Sequence, residues 1–169
     1  LRDFLAYHET IKGQSQRTIS EYYLDLRMFL RFMKLMRSEM PVSTRLDDIP
    51  IKDIDIRLLE SIQTSDVFDF LSYLANDRTP NPDSLAPDHG ISAASRARKL
   101  SAIKSFFKYL TTRKKLLQEN PVADLEYPKL RKSLPKYLTL EQSASLLRSV
   151  SGQNEKRDYA ILMLFLNCG

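Results

Sequence analysis

Between Ile91 and Tyr137 the sequence places twelve Lys or Arg residues against three acids, Glu119, Asp124 and Glu126. That is a net charge of +9 in a chain whose total is +5, which leaves −4 for all the rest. Positive charge concentrated beside a mildly acidic remainder is what a polyanion-binding surface requires, because Lys and Arg that neutralise phosphates release condensed counterions. A solvated helix face has the same composition. Within this stretch Ala94, Ala97, Arg98, Ser101, Lys104, Ser105 and Lys108 fall on one side of a helix advancing about 100° per residue. Small residues there would let the helix backbone approach a phosphate-lined groove while Arg and Lys reach outward. The same set also suits an ordinary exposed face on which Ala and Ser are helix-compatible fillers.

Chemistry of other kinds finds little support. The chain has no Gly-rich phosphate loop, no His-Glu-x-x-His, no Cys-x-x-Cys and no nucleophile elbow. Its two histidines read as a helix-surface residue, His8, and a loop residue, His89, neither with an evident partner. The single cysteine, Cys168, rules out an internal disulfide and reads as a small core residue. Tyr22, Tyr23, Tyr73, Tyr109 and Tyr159 lie in helical patterns and read as core or boundary packing. Asp47-Asp48 and Asp53-x-Asp55 read as turn and cap residues rather than a two-metal site. No metal site and no catalytic residue is expected. The 169 residues allow one compact domain, or one plus part of another. The longest apolar run, Tyr159 to Leu166, is far short of the roughly 20 residues of a membrane span, and the start Leu1-Arg2-Asp3-Phe4 lacks the regions of a signal peptide. No membrane association and a cytoplasmic location are the expectations.

The elements that must position the basic face are helical. Phe4, Leu5 and Ile11 indicate a short first helix with Gly13 as its stop. Thr18-x-x-Glu21 fits a capping box, followed by Ile19, Tyr22, Leu26, Phe29, Leu30 and Met33 at helical spacing. Pro41, Asp47-Asp48 and Pro50 mark a connection, and Ile54 to Ile62 a short helix. Thr64 or Ser65 can cap a helix whose Val67, Phe70, Leu71 and Leu74 face the core. Asn76 to Gly90, with Pro80, Pro82 and Pro87, reads as a mobile surface loop. A long helix then runs from about Ser92 to Lys114, with Leu100, Ile103, Phe107 and Leu110 on one stripe, until Asn120-Pro121 ends it. Tyr127 to Lys136, with two prolines, four basic residues and no acid, reads as an extended linker. Thr139-x-x-Gln142 opens another capped helix, Ser151-Gly152 breaks it, and Tyr159 to Leu166 is apolar on nearly all sides, as for burial in a larger core.

Three matches in order then stand out: Ser15-Gln-Arg-Thr18-Ile-Ser-Glu-Tyr22 with Asp25-Leu26; Ser92 to Leu110 followed by Asn120-Pro121; and Leu134 to Thr139 with Arg157-Asp158-Tyr159 and the closing Asn167-Cys168-Gly169. Over nearly its whole length the chain resembles the N-terminal part of the tyrosine recombinases, the phage-integrase and Xer-type family. The resemblance implies an all-α, SAM-like helical bundle, the core-binding domain, over residues 1–125. A linker over 126–137 and the truncated helical start of a catalytic domain over 138–169 complete the expected organisation. It implies a double-stranded DNA partner, with contacts from Ser95, Arg98, Lys99, Ser101 and Lys104, then Gln16, Arg17 and Thr18, and backbone contacts from Arg131 and Lys132. Arg98 is the expected base reader, since its planar fork can pair with guanine.

In this family a tyrosine attacks a phosphate to form a 3′-phosphotyrosyl link, with no ATP and no essential metal. Cys168-Gly169 stands where the family has a Thr-Gly step just before its first catalytic arginine. The expectation is therefore that the catalytic residues lie beyond Gly169, and that the chain binds DNA without cleaving it. Such proteins work as tetramers on DNA, and this chain by itself is expected to be monomeric. Two other readings of the residues stay open: a non-catalytic helical DNA-binding regulator, and a helical protein-interaction module.

Overall fold

The computed structural model describes residues 1–38, 44–76, 90–129 and 137–168. Among the described residues are seven α-helices, one short 3-10 turn and no strand, as the all-α reading expects. The chain divides into two compact units, Leu1–Leu130 and Arg131–Gly169. The first contains α1 (Arg2–Thr10), α2 (Gln16–Arg37), the 3-10 turn Leu46–Asp48, α3 (Ile56–Glu60), α4 (Thr64–Asn76) and α5 (Ala93–Thr112). The stretches 39–43, 77–89 and 130–136 lie outside the described residues, so the expected loop over 76–90 and most of the expected linker are not described.

Each helix of this unit turns its apolar stripe inward. Phe4 from α1, Leu26, Phe29 and Met33 from α2, Val67, Phe70 and Leu74 from α4, and Leu100, Ile103 and Phe107 from α5 are all fully buried in one cluster. Within it Phe29 is edge-on to Phe70 with ring centroids 5.3 Å apart and to Phe107 at 6.2 Å. Such aromatic pairs add to the area term, and truncating a buried Phe costs about 3–5 kcal/mol. On the flank of α2, Arg31 pairs with Asp47, Lys34 with Asp53 and Arg37 with Asp66. These cations, three residues apart, fasten the 46–66 segment along one helix edge. Asp55 caps α3, accepting from the Leu58 backbone N–H.

Three boundaries differ from the sequence reading, the first two because a side chain has a stronger partner. The cap of α2 is Ser15, whose Oγ accepts from the Thr18 backbone N–H at 3.3 Å. Thr18 is thus a first-turn residue, and Glu21 pairs with Arg98 on α5 rather than folding back on the helix start. Neither Thr64 nor Ser65 caps α4: the Gln63 N–H donates to Asp66, and the Thr64 hydroxyl donates to the Pro121 carbonyl at 2.6 Å. α5 stops at Thr112, well before Asn120-Pro121. Lys115 turns the chain with φ 50°, the Leu116 N–H returns to the Leu110 carbonyl, and Leu117 and Val122 re-enter the core.

Gly90 is required by close approach. The Ile91 N–H donates to the Leu74 carbonyl at 2.8 Å, and a Cβ on Gly90, whose φ is +87°, would stand 1.9 Å from the Ala75 carbonyl oxygen. The end of α4 and the start of α5 are joined through that backbone contact.

In the second unit α6 (Leu140–Arg148) carries the full capping box the sequence announces, with Thr139 Oγ1 accepting from the Gln142 N–H and Gln142 Oε1 from the Thr139 N–H. Gly152, at φ +111°, marks the break before α7 (Glu155–Cys168). Neither helix has a buried residue, and Leu164 and Phe165 are 64% and 73% exposed. Cys168 is exposed and free rather than a core residue. No described helix is long and apolar enough to cross a membrane.

Candidate nucleic-acid interface

The start of α2 and the first half of α5 lie side by side, tied by Arg98. Its guanidinium grips Asp25 in a fork, with contacts of 2.7 and 3.0 Å, and reaches Glu21 at 2.9 Å. Lys99 donates to the same Asp25 carboxylate at 2.6 Å. Asp25 is 1% exposed and Lys99 6%, whereas the Arg98 side chain keeps 46% of its surface in solvent. Two cations of α5 thus face two acids of α2. A buried carboxylate needs such partners, because removing it from water is offset only by close opposite charge and hydrogen bonds.

This corrects the expected basic face in part. Lys99 lies on the core side of α5, and its ammonium is not available to an outside phosphate; its partner Asp25 claims it. Ser101 donates to the Ala97 carbonyl at 3.1 Å and lies 3.5 Å from the Tyr127 hydroxyl. Lys104 donates to the Ala123 carbonyl at 3.0 Å and sits 5.2 Å from the centre of the Tyr127 ring. The chain after α5 therefore folds back over the middle of the helix and takes up both side chains. Ser105 bonds His8 at 3.1 Å. His8, expected at the surface, is buried under α5 and the Tyr22 ring.

Of the other sequence-derived residues, Gln16 donates to Glu9, Arg17 is exposed with no ion pair among the described residues, and Thr18 is half-buried beside the Ser15 cap. Ser95 has its backbone N–H capped by Ser92 Oγ at 3.2 Å. Arg131 and Lys132 lie outside the described residues. What sequence reasoning missed is the answering charge, Glu21 and Asp25. The signal was present: Asp25 interrupts the apolar row Tyr22, Leu26, Phe29, and a carboxylate in such a row calls for a buried cation. Among the described residues no cluster of His, Cys, Asp and Glu could hold a metal ion.

Residues 1–115 match the sequence profile described as "Phage integrase, N-terminal SAM-like domain". The chain belongs to the phage integrase family. Its SAM-like domain is the helical unit built on α1 to α5. The whole chain is 41% identical to a protein named "Tyrosine recombinase XerC" from Caldanaerobacter subterraneus, covering 45% of that protein. It is 30% identical, over 99% of its length, to one of the same name from Leptospira interrogans, again covering 45%. A "Tyrosine recombinase XerD" from Halalkalibacterium halodurans is 28% identical over the whole chain, which covers 47% of it. The chain thus spans a little under half the length of these relatives. No solved structure matches it at a significant level.

Proposed function

We propose that this phage integrase domain binds double-stranded DNA on behalf of a site-specific tyrosine recombinase. The observation that carries the reading is the alignment of the entire chain, α1 through α7, with proteins named as tyrosine recombinases. The DNA-facing edge we propose is the seam between α2 and α5. Gln16, Arg17 and Thr18 open the first helix, and Ser95 and Arg98 lie on the second, joined by the Arg98–Glu21 contact. Arg98 meets base or phosphate with its solvent-facing half while Asp25 fixes the plane of its fork, an orientation that favours bidentate recognition. Lys104 and Ser101 contribute at the margin beside Tyr127, and Arg131 and Lys132 contact the backbone. The organisation into a core-binding domain at 1–125, a linker at 126–137 and the start of a catalytic domain at 138–169 is part of the same proposal.

The chemistry proposed for the recombinase is exchange of phosphodiesters. A tyrosine oxygen attacks phosphorus and a 5′-hydroxyl leaves, giving a 3′-phosphotyrosyl link; a 5′-hydroxyl of the partner strand then attacks and the tyrosine leaves. Each step trades one phosphate ester for another, so no ATP is consumed. We assign no catalytic role to any residue of this chain. The assembly we propose on DNA is a tetramer, with this chain monomeric in the absence of DNA and cytoplasmic in location.

The test is duplex binding by fluorescence anisotropy across a salt series. Affinity is expected to fall linearly on logarithmic axes as salt rises, with a slope of about −0.9 per phosphate contacted. Arg17→Ala with Arg98→Ala is expected to weaken binding several-fold while helicity is retained. Salt-independent affinity, or a double variant that binds as the parent does, would overturn the reading.

A further inference from the structure

A cleft of about 680 Å³ opens between α1, the turn that follows it, α2 and the C-terminal half of α5. Three cations line it: Lys12 from the turn, and Lys108 and Arg113 at the end of α5. No carboxylate does. The surrounding acids are engaged elsewhere, Asp3 by Lys114 and Glu9 by Gln16. Lys12, Lys108 and Arg113 have no ion pair among the described residues, whereas Arg31, Lys34 and Arg37 on the α2 flank and Arg98 and Lys99 of α5 each have an acid. The rings of Tyr7, Tyr22 and Tyr109 form part of its wall, and Arg113 lies over the Tyr7 ring, 5.9 Å from its centre. A concave surface with low-dielectric walls and one sign of charge focuses the field, so an anion entering it is held more strongly than on an open face.

The floor also holds a built polar group. His8, 7% exposed, is bonded through Nδ1 to the Gln14 side-chain oxygen at 2.9 Å and through Nε2 to Ser105 Oγ at 3.1 Å. Since the Gln14 oxygen accepts, Nδ1 carries the proton and Nε2 accepts from the serine hydroxyl. Gln14 immediately precedes the Ser15 cap, so the cleft adjoins the start of α2.

We propose that this cleft seats a phosphate group, supplied by the DNA backbone that runs past the start of α2. The choice of DNA as the source rests on the function proposed above; the phosphate site itself rests on the cleft. Lys12, Lys108 and Arg113 neutralise the phosphate, and the imidazole beneath reports its arrival. Burial lowers the proton affinity of His8, the Gln14 bond raises it and the charge of Lys12 lowers it again, with the balance below the ordinary value of 6.5. The other groups around the ring, Tyr7 and Tyr22 and the Tyr109 and Lys108 side chains, include no carboxylate. A bound phosphate brings negative charge, and it must therefore raise the His8 titration midpoint.

The experiment follows the two histidine Cε1–H resonances of the full chain by NMR against pH, with His8→Gln assigning them and His89 as the internal reference. Three conditions are compared: no addition, a short duplex of arbitrary sequence, and inorganic phosphate. The expected result is an upward His8 midpoint with duplex, abolished in Lys108→Ala/Arg113→Ala. That variant is also expected to bind duplex about three- to tenfold more weakly, with a salt slope shallower by about one to two. A rise with inorganic phosphate but not with duplex supports the phosphate site and removes DNA as its source. No movement of His8 with either, together with an unchanged salt slope in the double variant, overturns the site while leaving DNA binding at the α2–α5 seam intact.

Discussion

Asp25 is the residue on which the α2–α5 seam turns. Its carboxylate is buried and shared by two cations of unequal situation, Lys99 inside and Arg98 half in solvent. Removing one member of a buried pair strands the other, which costs about 3–5 kcal/mol, whereas an exposed pair contributes about 0–1 kcal/mol. Asp25→Ala is therefore expected to lower unfolding free energy by about 3 kcal/mol or more in urea titrations, with Arg98→Ala lowering it by about 1 kcal/mol or less. Pairing Asp25→Leu with Lys99→Met should recover most of the loss, since a well-packed apolar replacement removes the desolvation penalty along with the attraction. Equal destabilisation by Asp25→Ala and Arg98→Ala would show that burial does not govern this cluster. Lys99 thus belongs to the fold, whereas Arg98, half in solvent, can be replaced at little cost to it.

Among the elements, α5 is central, because it presents one stripe to the core, one to the acids of α2 and one to the chain that folds back after it. Its entry is fixed by Gly90, where backbone meets backbone and no side chain can move aside. Gly90→Ala combines a clash with the Ala75 carbonyl and a left-handed φ, and is expected to destabilise by about 1–3 kcal/mol. Gly13→Ala meets no atom within 4 Å and carries only the conformational strain of φ +62°, so it is expected to cost less. Urea midpoints of the two variants separate the contributions; equal losses would mean that the Ala75 contact is unimportant. The helices themselves were legible in the 3.6-residue rows of apolar residues, and Thr139 with Gln142 was legible as a cap because both partners are local. Ser15 was not, because the choice between Ser15 and Thr18 depends on where Glu21 goes, and Glu21 goes to a residue 77 positions away.

For the whole molecule, the buried cluster runs from Phe4 to Val122 and lies wholly within the first unit. The second unit contributes no buried residue to it. Residues 1–130 alone are therefore expected to fold cooperatively, with a thermal midpoint within a few degrees of that of the full chain, as circular dichroism would record. A molten product from that shortened chain would show that the core depends on α6 or α7. The charge of the molecule is distributed with a similar division of labour. The net positive stretch between Ile91 and Tyr137 survives as a sum, yet Arg98 and Lys99 within it are answered by acids of α2, while Lys108 and Arg113, with no ion pair among the described residues, line the α1–α5 cleft.

By itself the sequence determined the helical class, the order and phase of the helices and the likeness to tyrosine recombinases, because local periodicity and segment order are properties of neighbours along the chain. Tertiary structure decided which charges remain available. Lys99, Ser101, Lys104 and His8 find partners 19 to 97 residues distant, and a cation's availability depends on what stands opposite it in space, a quantity that spacing along one helix does not contain.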